Sequence, residues 1–427
     1  MIKVGSDFSG VGAFNQALMR LGIEYKELFA CDMDKYARQT FIHNYGEPEY
    51  YPTNVYEREI PSESLDIYMT SPPCQAFSLA GKRLGKDDKR GILFFNSLEF
   101  IQVNKPRYFI FENVKGLLSD DNGKTFNEWV NLLGGKSVNG LPVLFAYEDS
   151  VHYHLYWKVL NAKEHGVPQN RERVFLIGIR DDKDNSFRFP IEESLTKRLK
   201  DILEENVDDK YFLSEKMIEG FSKHNDNHNE KGTGFIFEPK DQNDIANCLR
   251  ANAALCPTDN TIKIELCKYG FHTCGNYQYN FCDTCNEGDN YEFLQESNTT
   301  LYFDNSTVKI KYGKENKKQS NFNYGCYKLN DTLDLNISKF EKHEPLVIDV
   351  HNRSVHSYSP SLTEPHHNTT RLWDGYKIRR LTPRECFRLM DFPDTFTWPV
   401  SDSQAYKQAG NSIVVNVLYK ILKNLNL

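Results

Sequence analysis

The sequence predicts an α/β protein with a second, smaller region of mostly β or irregular character set into it. Three observations carry that expectation. Apolar, strand-like runs recur through residues 1–180, and several end in turns rich in polar or reactive side chains. Stretches of helical periodicity separate them, which is the rhythm of a sheet flanked by helices. From about Asp181 the rhythm stops, and charged and Asn-rich segments run until an orderly, apolar C-terminal part. The expected division is therefore 1–182, completed by 403–427, and a separate region 183–402.

Ile2–Phe14 reads as strand, glycine-containing turn and helix, the helix running from about Asn15 to Leu21. Gly10 and Gly12 let backbone approach a ligand, and the helix start offers free N–H groups. A bare Gly-x-Gly is equally compatible with a tight turn that binds nothing. Tyr25–Ala30 is strand-like and ends in Cys31-Asp32-Met33-Asp34. An acid at the end of the second strand of a nucleotide-binding half takes ribose hydroxyls, and Met33 can pack on an adenine face. The same acidic tip could serve as a helix cap. A helix follows from Lys35 to roughly Tyr45.

The run Leu65–Met69 reads as a buried strand, stopped by Pro72 and Pro73 with Cys74 at the tip of the turn. A thiol there stands where open α/β sheets bind ligands, although a lone cysteine is more often a buried structural one. Leu79–Gly91 follows with three glycines and five basic residues, the composition of a phosphate-seeking loop or of a solvated surface. Phe94–Val103 is helical. Arg107–Val114 is a strand that places Glu112 on the same rim as Cys74. A carboxyl beside an apolar run can hold a raised pKa and act as an acid.

Leu155–Asn161 and Arg173–Ile179 read as strands joined by a short connection, hence antiparallel. Arg171 and Arg173 alternate and share one face, suited to an anion or a polar ring edge. A surface salt-bridge pair is the plain alternative. In the later region Thr261–Ile264 and Val308–Lys311 are β-like, and Lys309, Lys311, Lys314, Lys317 and Lys318 form a second basic run. Cys282 and Cys285 alone have zinc spacing; Cys267, Cys274 and His272 are loose partners, and no metal is assigned. Near the end, Thr382, Pro383 and Glu385 make an N-cap with a capping box. Tyr406–Leu418 opens an apolar C-terminal helix that requires a core to pack on.

Composition sets outer bounds. The 427 residues suffice for two or three domains, and 39% hydrophobic with 26% charged residues is ordinary for a soluble protein. No apolar run approaches a membrane-spanning length, and MIKVGSDFSG is not a signal peptide, so a cytoplasmic protein is expected. The ten scattered cysteines then read as thiols. A net charge of −7 is not the global signature of a nucleic-acid binder, but a local basic face is enough to neutralise phosphates.

Taken together, Asp7–Phe14, Ser71–Ser78, Phe111–Val114, Gln169–Arg173, Arg380–Asp394 and Gln408–Val417 resemble the DNA (cytosine-5)-methyltransferases of the bacterial and phage type, and they occur in that family's order. The resemblance covers residues 1–180 and 345–427. It implies a class I S-adenosylmethionine-dependent methyltransferase fold, a Rossmann-like mixed seven-stranded sheet, with target recognition in 183–402. It assigns Phe8, Gly10, Gly12, Asp32, Met33, Asn54, Asn411 and Ser412 to S-adenosylmethionine. Cys74 becomes the nucleophile, with Glu112, Arg171 and Arg173 as its catalytic partners. Three positions depart from the usual pattern: proline precedes Pro73, Asp32 replaces a common Glu, and Asn54 stands where an Asp is expected.

The implied reaction is addition of Cys74 to carbon 6 of a flipped-out cytosine, followed by methylation of carbon 5. Amino-group methyltransferases instead carry an aromatic residue after their two prolines. The implied partner is double-stranded DNA, for a monomer that either works beside a restriction endonuclease of the same specificity or protects phage DNA. A tRNA cytosine-5 methyltransferase and an inactive DNA-binding relative are the rival readings. The DNA sequence recognised is not legible.

Overall fold

In the computed structural model, the described residues are 1–73, 92–180, 182, 186–231, 237–251, 255–257, 259–265, 376–425 and 427, with short strands between 291 and 373. Cys74, the 79–91 loop and the cysteines between 266 and 290 lie outside them. The chain forms two compact units. The first comprises Met1–Leu203, Phe235–Asn260 and Leu381–Leu427; the second comprises Glu204–Gly234 and Thr261–Arg380.

The first unit is built on a mixed sheet. Its elements begin β1 (Ile2–Asp7), α1 (Ala13–Leu21), β2 (Tyr25–Cys31), α2 (Lys35–Tyr45), β3 (Ile67–Thr70), α3 (Ile92–Asn104) and β4 (Tyr108–Val114). They continue with α4 (Lys124–Leu133), β5 (Ser137–Val138), β6 (Leu141–Pro142), β7 (Tyr153–Asn161), β8 (Gln169–Asn170) and β9 (Glu172–Arg180). The strand order is β2-β1-β3-β4-β9-β7-β5-β6. The four strands β2, β1, β3 and β4 run parallel, while β9 is antiparallel to both β4 and β7. The sheet has eight strands rather than the expected seven, six longer ones and the two-residue strands β5 and β6 that extend one edge.

All four residues of β3 are buried, as are the first six of β4. Parallel strands covered on both faces need such continuous apolar runs. Aromatic rings fill the space beneath the helices: Phe94 stacks on Trp129 at 4.2 Å and Tyr68 on Phe100 at 4.1 Å. Asp34 caps α2 by accepting from the N–H groups of Tyr36 and Ala37, which fixes the helix start directly after Asp32.

The C-terminal part of this unit holds α6 (Pro383–Leu389), α7 (Asp402–Asn411) and α8 (Val415–Lys423). The Thr382–Glu385 capping box is present in both directions. The apolar end is two helices, not one, broken at Ser412–Val414. Helix α8 packs on α1, so the last part of the chain closes the core of the first. A short strand β10 (Ala246–Asn247) pairs with β8.

Among its described residues, the second unit contains helix α5 (Glu215–Lys231) and strands paired antiparallel. Strands β11 (Thr261–Glu265) and β19 (Tyr376–Arg380) form one pair. Strands β12 (Tyr291–Glu296), β13 (Thr299–Phe303), β14 (Thr307–Tyr312) and β15 (Thr332–Asn336) form a meander. Strands β16 (Leu346–Asp349), β17 (Ser354–His356) and β18 (Thr370–Trp373) form a three-stranded sheet in which β16 is central.

Candidate active site

Two groups of side chains gather at the carboxyl ends of the parallel strands. The first sits past β1 and β2. Phe8 and Gly10 both take left-handed backbone, with φ of 58° and 56°. The space a Cβ on Gly10 would occupy is open, whereas one on Gly12 would lie 2.2 Å from the Tyr45 ring. Gly12 is thus required by its neighbour, and Gly10 leaves room for a ligand.

Asp32 turns its carboxylate into this loop. Oδ2 accepts the Gly10 N–H at 2.7 Å and Oδ1 accepts the Asp34 N–H at 2.8 Å. Burial nevertheless pushes its pKa upward. Each oxygen keeps a lone pair for a further donor such as a sugar hydroxyl. Met33 beside it is 86% exposed, leaving a broad apolar face open. The Asp32 N–H donates to the Pro52 carbonyl at 3.3 Å, which draws the Asn54 loop alongside. The Asn54 amide is used locally: Oδ1 accepts the Tyr56 N–H and Nδ2 donates to Glu57.

Helix α7 is fastened to the same region. Lys407 Nζ meets Asp34 Oδ2 at 2.7 Å, and Gln408 Oε1 accepts the Thr40 hydroxyl at 3.1 Å. Asn411 ends α7 exposed, and Ser412 follows it buried. Gly410 is needed because a Cβ there would lie 2.3 Å from the Arg250 carbonyl oxygen.

The second group lies at the end of β4 and the start of β9. Glu112 is buried, and Arg173 Nε stands 3.2 Å from its Oε1. Burial raises the Glu112 pKa, against the opposing pull of Arg173 and Arg171. Arg171 does something different from Arg173. Its Nη1 donates to the Leu249 carbonyl at 3.1 Å, and its Nη2 donates to the carbonyls of Gly410 and Ser412 at 3.0 and 2.7 Å. Burial and the adjacent Arg173 push its pKa down to about 10. Its terminal nitrogens therefore brace two remote backbone segments through three carbonyls, and Ser412 joins this group to the first.

Asn113, next to Glu112, donates Nδ2 to the Pro72 carbonyl at 3.0 Å. That bond holds the proline turn leading to Cys74 against the end of β4. Beneath both groups lies a cluster with no local sequence signal. Asp7 Oδ1 accepts from Arg58 Nε at 3.0 Å and Oδ2 accepts from the Tyr68 hydroxyl at 2.5 Å, all three residues being buried. Arg58 also lies over the Phe100 ring, 4.6 Å from its centroid. Asp7, Arg58 and Tyr68 join the end of β1 and the loop between α2 and β3 to β3 itself.

A sheet parallel from β2 to β4, with β9 set antiparallel between β4 and β7 and helices over its faces, is the S-adenosylmethionine-dependent methyltransferase fold. A solved Spodoptera frugiperda DNMT2 mutant shares it, with a TM-score of 0.59 at 19% identity, covering 99% of each chain. The Schizosaccharomyces pombe Dnmt2 methyltransferase structure gives a TM-score of 0.56 at 16% identity, over 99% of this chain and 97% of that one. Residues 2–426 match the family described as C-5 cytosine-specific DNA methylase, and the chain belongs to that family. It is accordingly a DNA (cytosine-5)-methyltransferase whose substrate is DNA.

Similar curated proteins include the orphan methyltransferase M.SPRI of Bacillus phage SPR, 31% identical over 99% of this chain and 97% of the relative. The type II methyltransferase M.HpaII of Haemophilus parainfluenzae is 30% identical over 98% of this chain and 88% of its own. No helix among the described residues is long and apolar enough to cross a membrane, and none of their His, Cys, Asp or Glu side chains group as a metal site.

Proposed function

We propose that this enzyme transfers a methyl group from S-adenosylmethionine to carbon 5 of a cytosine flipped out of a specific duplex sequence, through a covalent Cys74 adduct at carbon 6. The observation that carries the reading is the pairing of the buried Glu112 with Arg173 at 3.2 Å, one residue from the Asn113 bond to the turn that precedes Cys74. A carboxyl whose pKa burial raises is suited to hold a proton at ring nitrogen 3. Arg173, facing it, offers N–H donors to the carbonyl oxygen of the base.

The cofactor supplies a methyl group on a positive sulfonium. Phe8, Gly10, Gly12, Asp32 and Met33 would hold its nucleoside, with the Asn54 loop and Asn411–Ser412 along its sides. The open space at Gly10 and the two-sided Asp32 carboxylate support that fit. Cys74, as thiolate, forms a bond to carbon 6, and the electron pair moves to carbon 5, which takes the methyl group. A base then removes the carbon-5 proton, and the returning pair expels the Cys74 thiolate. Base extrusion costs a few kcal/mol, offset by pocket and backbone contacts. The basic loop Lys82–Arg90 is the proposed cover for the flipped base. The second unit, with its antiparallel strands, is proposed to read the DNA sequence.

The test is methyl transfer from labelled S-adenosylmethionine to unmethylated genomic DNA, followed by bisulfite sequencing. Conversion-resistant cytosines in one short motif are expected, and Cys74→Ala should abolish turnover while DNA binding persists. Label on an amino nitrogen, label only on tRNA, or appreciable methylation by Cys74→Ala would refute the reading.

A further inference from the structure

Cys248 stands between the two arginines of the Gln169–Arg173 segment. Its sulfur lies 3.3 Å from Arg171 Nη1 and 4.0 and 3.9 Å from Nη1 and Nη2 of Arg173. The thiol donates toward the Leu249 carbonyl at 3.6 Å, the same oxygen that Arg171 uses. The sulfur lone pairs are thereby left facing two cations.

The segment carrying Cys248 is firmly seated. Strand β10 pairs with β8 just before it, and the Leu249 N–H donates to the buried Gln169 Oε1 at 3.1 Å. On the far side the Arg250 backbone lies against Gly410. Arg171 is fixed independently by its three carbonyl acceptors. Arg173 is held less completely: among the described residues, Nε meets Glu112, Nη1 reaches its neighbour Glu172's carbonyl, and the remaining polar contact is the Cys248 sulfur.

We infer that Cys248 is a positioning residue of the active site, whose sulfur holds the outer edge of the Arg173 guanidinium so that Nε faces Glu112. The inference rests on the reading in which Glu112 and Arg173 handle the cytosine ring. A long side chain released from one of its anchors regains rotamer freedom, and displacement of a reacting partner by about 1 Å can cost 10²-fold in rate. An acceptor atom at position 248 is what the geometry demands. Serine preserves one and valine fills the volume without one.

The experiment compares Cys248→Val and Cys248→Ser, in the full chain, for methylation of unmethylated genomic DNA. Glu112→Gln is run in parallel, with S-adenosylmethionine binding followed by calorimetry. Valine is expected to lower kcat about tenfold or more with KM for DNA and cofactor affinity within about twofold, and serine to recover most of the loss. If Cys248→Val melts, Cys248→Ala makes the same comparison with serine. Wild-type kcat without an acceptor, an equal loss in the serine variant, or an effect confined to KM overturns the inference. Full activity in Glu112→Gln would instead overturn the catalytic reading, whatever Cys248 does.

Discussion

Asn113 spans from the end of β4 to the Pro72 carbonyl, 3.0 Å from its Nδ2, while its Oδ1 accepts the Val114 N–H at 2.8 Å. One amide thus fixes two turns, the one that follows Glu112 and the one that precedes Cys74. Removing it by Asn113→Ala leaves a buried carbonyl without this donor, a cost of about 1–3 kcal/mol. Turnover should fall further than stability alone explains, on the order of 10²-fold, because the turn is no longer held. Thermal unfolding and kcat measured on the same preparation check this; an unchanged kcat would show that the bond does not set the turn.

Glu112→Gln keeps the shape of the side chain and removes its titration. Loss of a positioned acid typically costs 10²–10⁴-fold in rate. The expected result is a kcat reduced by roughly that factor with cofactor affinity unchanged, since Glu112 lies in the second group of side chains and not beside Asp32. Burial raises the wild-type carboxyl, so the protonated form persists above the usual carboxylate range. The wild-type rate should therefore decline on the alkaline side as that proton is lost.

The Asp7–Arg58 pair is nearly solvent-free, with side chains 0% and 2% exposed. Breaking such a pair from one side strands a charge, which costs about 3–5 kcal/mol. Arg58→Met should be strongly destabilising. Adding Asp7→Asn should recover part of the loss, because the stranded carboxylate is gone. Urea unfolding of the two single variants and the double variant measures this; strictly additive losses would mean that the pair acts as two separate residues.

Glu27 on β2 is raised from 4.5 to about 7 by burial, and the Asn15 amide that donates to its Oε2 offsets this only in part. The unfolded chain releases this proton near the ordinary carboxylate pKa, and the folded chain only near 7. The stabilising contribution is thus complete below about 4.5 and is lost as pH rises toward 7. Glu27→Gln should match the wild type in acid and exceed it above pH 7, by up to about 3 kcal/mol. Unfolding midpoints taken from pH 4.5 to 8 would show the two curves separating; parallel curves would refute it.

Much of the scaffold was readable because its causes are local. The limits of α2 follow from the Asp34 cap and Gly46, and the start of α6 follows from Thr382, Pro383 and Glu385. The antiparallel pairing of β7 and β9 follows from the short connection between them. What escaped was set by distant contacts. Nothing around Arg58 announces that Asp7 and Tyr68 meet it, and nothing around Cys248 announces two arginines some 75 residues away. The break between α7 and α8 coincides with the Ser412 carbonyl turning to Arg171, a demand absent from the apolar pattern of the helix itself. Arginine spacing likewise predicted a shared face at 171 and 173, but not that one of the two would be spent on backbone carbonyls.

The closure of α1 by α8 has a consequence for the order of events on the ribosome. The two helices belong to one core, yet α8 is made only after residues 181–414 have been added. At about 5–20 residues per second this interval lasts on the order of 10–50 s. For that time the nascent sheet carries an α1 whose apolar flank has no cover, while the intervening unit emerges. A chaperone that shields apolar surface would find its longest opportunity in this window. Any slowing of translation within 181–414 would lengthen it without altering a single residue of the finished enzyme.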